Sequence, residues 1–326
     1  MLLEVQNLSH QWEDRKVLQE LNFKVKAAKI TVILGANGTG KSTLLKLMAG
    51  LLDTQSGKIL FEGEKVRGPG CMLVPGHPSI ALVKQDSRLS PNITVRENLL
   101  YVLRAYDEEY QNEKIQGLSK LLNVEPILDR VVNFLSGGEK QRIAIAAALA
   151  SSPELLLMDE PFSQTDMYLK QELKQYLSQI VEHLGIGLLF VTHDPQDALS
   201  LADEIIVLHE GQIVEQGNSH QLYYYPKHRV TATLTGYCSW LPVEKFPELS
   251  FLHQVGEDWL IRPDQVRISP MEGKNVFKAK INKIEFLGFY NIVHLQLEQE
   301  NHSLILTQVS SYPLPKIGEQ VSISFV

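Results

Sequence analysis

Cysteine is nearly absent from this chain. Cys71 and Cys238 are the only two in 326 residues, too few for a disulfide framework or a cysteine-ligated zinc site. That usage fits a reducing compartment. Long apolar runs are missing too: Ile143–Ala150 and Leu155–Met158 are among the longest. Both fall short of the roughly eighteen residues that a membrane-crossing helix needs. No basic stretch precedes an apolar one in the opening Met-Leu-Leu-Glu-Val, so no signal peptide is expected. Positive charge is in deficit, with 31 Lys and Arg against 38 Asp and Glu and a net charge of −7. This balance argues against broad electrostatic binding of nucleic acid, so any bound polyanion must sit in a local cradle. No internal repeat or low-complexity segment is visible.

What is present is an apolar fraction of 44%, enough for a packed core, which excludes disorder as the main state. At about 150 residues per domain, the length predicts two domains. Leu2–Leu8 and Leu21–Val25 alternate as strands do, with the polar stretch 13–16 between them. Ile30-Thr31-Val32-Ile33-Leu34 reads as a strand buried on both faces. Glycines follow, and then Leu44, Leu45, Leu47, Met48, Leu51 and Leu52 recur at helical spacing. From Asn92 to Ala150 the pattern is mostly helical. Leu155–Met158 and Leu188–Thr192 are short buried strands flanking a helix with Leu173, Leu177, Ile180 and Leu184 on its apolar face. That order predicts an α/β domain with a largely parallel sheet over residues 1–235, including a helical subdomain at about 86–150. Beyond Trp240 helical periodicity stops. Short strands at 259–268, 276–285, 293–297, 304–309 and 321–326 predict a small all-β domain over 240–326.

Gly35-Ala36-Asn37-Gly38-Thr39-Gly40-Lys41-Ser42, with Thr43 next, fits G-x-x-x-x-G-K-[ST] between a buried strand and an amphipathic helix. Glycines let successive N–H groups converge on phosphate oxygens, and the helix start adds its positive dipole end. Lys41 reaches the β- and γ-phosphates, and the Ser42 hydroxyl is a ligand for Mg²⁺. Leu155–Met158 delivers Asp159 and Glu160 at a strand end. Asp159 is placed for the metal, and Glu160 for a water attacking the γ-phosphate. Ser136-Gly137-Gly138-Glu139 opens a helix, with Ser136 as N-cap and the Gly137 and Gly138 N–H groups available to an anion. A capped helix start is the simpler reading of that stretch taken alone.

Together these motifs resemble the ATP-binding subunits of ABC transporters, along essentially the whole chain. The run Leu135-Ser136-Gly137-Gly138-Glu139-Lys140-Gln141 resembles the family signature. The resemblance implies a P-loop ATPase fold with ATP and Mg²⁺ as nucleotide and cofactor. It makes Gln85 the glutamine that touches the metal and the attacking water, His193 the switch histidine, and Trp12 the aromatic stacked on adenine. Trp259–Arg267 and Ile284–Gly288 resemble the TOBE domain, a small OB-like barrel appended to importer ATPases. The tail's brevity is closer to ferric-iron or polyamine importers than to sugar importers. Three stretches depart from the family pattern. Gln164-Thr165 stands where Ala-Leu is usual, between Ser163 and Asp166; Ala147 stands where Arg is common; and segment 68–78 is unusual, its Pro and Gly density predicting turns rather than a metal site.

The resemblance further implies a head-to-tail homodimer bridged by ATP, in which Ser136, Gly137, Gly138 and Asp166 serve the site of the opposite subunit. It implies permease subunits in the membrane, an extracytoplasmic substrate-binding protein, and a location on the cytoplasmic face of the membrane. A soluble ATPase of the same type acting on nucleic acid or the ribosome is the alternative. Such proteins usually carry paired ATPase modules, coiled-coil arms or zinc cysteines, and none is visible in this sequence.

Overall fold

A computed structural model describes residues 1–84, 89–163, 166–268, 276–298, 302–309 and 315–326. Contacts divide the chain into two units, Met1–Ser219 and His220–Val326.

The first unit opens with a hairpin of β1 (Leu3–Trp12) and β2 (Arg15–Val25). These strands run further than the alternation predicted, and the turn shrinks to Glu13-Asp14, with Glu13 at φ 51°. Next come β3 (Ile30–Leu34), α1 (Lys41–Met48), β4 (Ser56–Phe61), β5 (Glu64–Lys65) and β6 (Ile80–Val83). All five residues of β3 are buried, as its sequence predicts. Three helices follow: α2 (Val95–Leu103), α3 (Glu108–Leu121) and α4 (Gly137–Ala150). The unit closes with β7 (Leu155–Asp159), α5 (Met167–Leu184), β8 (Gly187–Thr192), α6 (Pro195–Leu201), β9 (Glu204–His209) and β10 (Gln212–Gly217).

Two sheets form from these strands. The order β2-β1-β4-β5 is antiparallel, and the order β10-β9-β3-β8-β7-β6 is parallel except at β10. One hydrophobic core joins both sheets to α1, through residues such as Leu8, Leu21, Ile33, Leu45 and Val191. The central order matters most for function. It sets β3, β8 and β7 side by side and parallel, so the loops after all three leave from the same edge.

In the second unit α7 (Ser219–Tyr224) and α8 (Arg229–Leu234) precede β11 (Ser239–Pro242), β12 (Gln254–Val255), β13 (Asp258–Ile261), β14 (Val266–Ile268), β15 (Val276–Phe286), β16 (Tyr290–Leu297), β17 (Ser303–Val309) and β18 (Gln320–Phe325). The sheets β11-β13-β12 and β14-β18-β15-β16-β17 are antiparallel throughout. The strand predicted at 259–268 is two strands, separated by a 3₁₀ turn at Pro263–Gln265. Pro263 lacks the N–H that a continuous ladder would use.

The division between the units lies sixteen residues before the boundary read near 235 (235 − 219). Arg262 bonds the stretch in between to the second unit. Its side chain is fully buried and donates to the carbonyls of Tyr223, Ala232, Gly236 and Tyr237 and to the Thr235 hydroxyl. The turns after α7 and α8 are thereby tied to the β-strands behind them.

Candidate active site

The loop after β3 is shaped by steric exclusion. A Cβ on Gly35 would lie 2.4 Å from the carbonyl oxygen of Leu208 on β9, so no larger residue fits there. Gly40 caps α1 at φ 95° with no side-chain bond, a conformation open to glycine. The first N–H groups of α1 are therefore left to a ligand rather than to a cap.

Lys41 folds back over this loop. It is 6% exposed, and its Nζ donates to the carbonyls of Gly35 at 2.8 Å and Ala36 at 3.0 Å. Burial pushes the Lys41 pKa down, while the carboxylates of Glu160 and Asp159 oppose that shift. Glu160 Oε1 lies 3.5 Å from Nζ. Next to Lys41 in sequence, Ser42 Oγ donates to Asp159 Oδ1 at 3.0 Å.

Four buried residues of β7 lead to Asp159, and the chain then turns at Glu160, whose φ is 49°. This turn presents the two Glu160 carboxylate oxygens to different partners. Oε1 faces Lys41, and Oε2 is 2.8 Å from Nδ1 of His193, the residue that follows β8. Trp12, at the end of β1, is 50% exposed, and the buried His10 ring meets it edge-on at 5.0 Å. Trp12, Asn37, Gly38, Lys41, Glu160 and His193 line one open cleft of about 550 Å³, along with Gly40, Ser42 and Thr43. Six residues of the phosphate-loop stretch, together with Trp12, thus share a cleft with Glu160 and His193.

Other expected site residues stand elsewhere. Gly35 shapes the loop from beneath, and Thr39 Oγ1 donates to the Ala36 carbonyl. Ser136 and Gly137 are exposed at the start of α4, where Ser136 and Glu139 form a capping box. Gly138 is buried, and a Cβ there would meet Leu169 Cδ1 at 2.8 Å. Its small size therefore serves packing on α5, which the reading of an exposed N–H had not considered. The Asp166 carboxylate caps α5 by accepting from the Leu169 N–H at 3.0 Å. Gln85, Gln164 and Thr165 lie outside the described residues. Segment 68–78 does fold as turns, with a 3₁₀ turn at Pro69–Cys71 and the Asp53 carboxylate accepting from the Gly70 N–H. His77 Nδ1 accepts from the Ser79 N–H. Among the described residues no cluster of three or more His, Cys, Asp or Glu is placed to hold a metal.

Sequence reading missed Arg15, Val17 and Ser163, which also line the cleft. Arg15 pairs with Trp12 across the hairpin, a register that depends on the two-residue turn and was not assigned from alternation.

The phosphate loop, the Asp159-Glu160 strand end and the α4 start occupy a chain that matches known proteins along its length. Residues 18–163 match the ABC transporter family, and residues 259–326 match the TOBE domain. The chain is 32% identical to the spermidine/putrescine import ATP-binding protein of Borreliella afzelii (strain PKo), over 99% of this chain and 95% of that one. It belongs to the importer-type ABC transporter ATPases with a TOBE domain.

The Fe(3+) ions import ATP-binding protein of Haemophilus influenzae (strain 86-028NP) is 31% identical over 99% of this chain and 96% of its own. Among solved structures, cbiO1 from Clostridium perfringens, part of an ABC transporter complex, superposes with a TM-score of 0.63 at 30% identity. That match covers 68% of this chain and 90% of the other. The ATP-binding cassette MJ1267 in its ADP conformation shares the fold, with a TM-score of 0.64 at 23% identity over 72% of this chain and 97% of its own. As an ABC transporter ATPase, the protein binds ATP and hydrolyses it.

Proposed function

We propose that this ATPase works as a head-to-tail homodimer in which each ATP is held by the cleft of one copy and the α4 start of the other. One observation carries the reading: the cleft gathers Lys41, Glu160 and His193, while the signature stretch at 135–141 contributes nothing to its lining. Ser136 accepts the Glu139 N–H at 3.2 Å through its oxygen, and its hydroxyl proton, shared with the Glu139 carboxylate in the single chain, is turned to the phosphate. In the dimer that proton and the Gly137 N–H meet the γ-phosphate from the far side. Asp166, close to the subunit boundary, sets the start of α5.

Within one cleft the roles divide by geometry. Trp12 stacks on the base, and the loop amides of residues 36–43 hold the phosphates. Lys41 exchanges its Gly35 and Ala36 carbonyls for phosphate oxygens, and the loss of its contact leaves Glu160 to orient a water and accept its proton. His193, held by Glu160 Oε2, faces the leaving γ-phosphate. Ser42 and Asp159 suit Mg²⁺, since a hydroxyl and one carboxylate oxygen only 3.0 Å apart are hard donors of the kind that ion takes beside phosphate. Gln85 is assigned to the same ion from the family resemblance. When bound, Mg²⁺ supplies charge neutralisation at the phosphate oxygens.

The protein acts on permease subunits at the cytoplasmic face of the membrane, alongside an extracytoplasmic binding protein. Among the described residues no helix is long and apolar enough to cross a membrane, so spanning falls to those partners. An open groove of about 850 Å³, lined by Ala144, Ala147 and Ala148 of α4 and by Met72, Val74 and Leu82, with Lys46, His77 and Lys84 also in its lining, is assigned to a permease helix. The relatives named for spermidine/putrescine and for ferric iron support a small cationic cargo.

Glu160→Gln tests the dimer reading. The variant is expected to lose ATP hydrolysis by at least about 100-fold and to elute as a dimer only with ATP during size-exclusion chromatography. Hydrolysis at the wild-type rate, or a monomer at saturating ATP, would overturn it.

A further inference from the structure

Behind His193 lies a partly buried group of alternating charges that the reaction does not use directly. Lys170, on the first turn of α5, places Nζ 2.7 Å from Asp194 Oδ2 and 2.8 Å from Asp197 Oδ1. Lys174, one turn on, is 3.0 Å from the same Asp197 oxygen and donates to Ser200 Oγ at 2.8 Å. Asp197 is 2% exposed. Phe162, two residues past Glu160, lies under both ammonium groups, with its centroid 6.0 Å from Lys170 and 5.7 Å from Lys174. Two cations balance two carboxylates; without Lys170, Asp194 loses its ion-pair partner while Asp197 keeps Lys174.

Asp194 is next to His193 and caps α6. Its Oδ1 accepts from the Gln196 N–H at 2.8 Å, and its own N–H donates to the Thr192 hydroxyl at 3.0 Å. The backbone on both sides of His193 is therefore fixed, by Thr192 at the end of β8 and by Asp194 at the start of α6. Among the described bonds of Asp194, the one to Lys170 reaches α5, the helix whose cap is Asp166, and Lys174 of the same helix holds Asp197 and Ser200. Burial alone would lower the Lys170 pKa, but its bonds to Asp194 and Asp197 outweigh burial and raise it, so the ion pairs persist at neutral pH.

We infer that Lys170 is a positioning residue for hydrolysis: it locks the His193 loop to the start of α5, so that the 2.8 Å contact of His193 with Glu160 is kept when a partner subunit presses on the Asp166 end. This deepens the proposed dimer reading and rests on it. The coupling runs through a contiguous set of ion pairs rather than through distance alone.

The test compares Lys170→Met, Lys170→Arg, Asp194→Asn, His193→Ala and the double variant K170M/H193A, with rates expressed per nucleotide-binding site titrated. Lys170→Met is expected to lower kcat about 100-fold, the cost of a misplacement near 1 Å. The KM for ATP should stay within about twofold, because nucleotide contacts are untouched. Lys170→Arg should restore kcat. Asp194→Asn, which keeps the helix cap, should match Lys170→Met even if the latter folds poorly. The double variant should be no slower than His193→Ala, since both changes act on one group. Multiplicative losses in the double variant, or wild-type kcat in both Lys170→Met and Asp194→Asn, would overturn the inference and leave the Glu160–His193 reading intact. Wild-type kcat in His193→Ala would overturn that reading and the inference with it.

Discussion

Glu160 shows how much one residue's conformation decides. At φ 49° it occupies the left-handed region, which costs a non-glycine residue roughly 1–2 kcal/mol. In return its carboxylate reaches both Lys41 and His193, which belong to different strands' loops. In the proposed binding mode Trp12 works by area rather than charge: half exposed and in edge contact with His10, it would offer a flat face to a base. Base-on-aromatic stacking contributes about 1–3 kcal/mol. Trp12→Ala should therefore raise the KM for ATP about tenfold, with kcat little changed. Steady-state phosphate release across ATP concentrations checks this. An unchanged KM would place the adenine elsewhere.

At the scale of elements, α2 and α4 both begin with capping boxes, Thr94 with Glu97 and Ser136 with Glu139. In α4 the Ser136 oxygen caps its own helix, and the Ser136 hydroxyl also bonds the Glu139 carboxylate. Burial works to raise the Glu139 pKa, but the Ser136 bonds outweigh it and hold the group below the ordinary 4.5. Such a depressed carboxylate stabilises the fold above pH 4.5, and that contribution disappears as the pH falls through its folded pKa. Ser136→Arg removes the cap at a cost of about 1 kcal/mol and puts bulk at the proposed subunit boundary. The expected result is loss of hydrolysis with ATP still bound by the monomer, measured by equilibrium binding with a fluorescent nucleotide. Equal loss of monomer binding would reduce Ser136 to a local fold element.

For the whole molecule, the two units have separate cores, one centred on the β3-β8-β7 sheet and one on the antiparallel strands. Arg262 makes the second unit cohere. It has no carboxylate partner in its described hydrogen bonds, only carbonyls, one hydroxyl and the Tyr223 ring at 4.1 Å. Arg262→Leu strands several buried carbonyls and should destabilise this unit by about 3 kcal/mol. Calorimetry of the full chain should show an earlier transition for it, with the nucleotide-stabilised transition of the ATPase unit in place. A single unshifted profile would show that the carbonyls find other partners.

Sequence alone determined the local chemistry of this protein. The buried β3 run, the glycine loop and Lys41 are contiguous, so spacing was enough to read them, and Asp159-Glu160 at the end of β7 was as plain. Of the eight C-terminal strands, alternation reached all but the short β11 and β12, with one predicted run broken in two at Pro263. Tertiary structure decided what lies next to what. Only the order β3-β8-β7 brings Lys41, His193 and Glu160 within a few ångströms, although they are up to 152 residues apart (193 − 41). Arg15 opposite Trp12, Gly138 against Leu169, Lys170 against Asp194 and Arg262 among the carbonyls of 223–237 follow the same rule. Periodicity reports which face of an element is buried, whereas the partner on that face comes from the packing of segments distant in the chain.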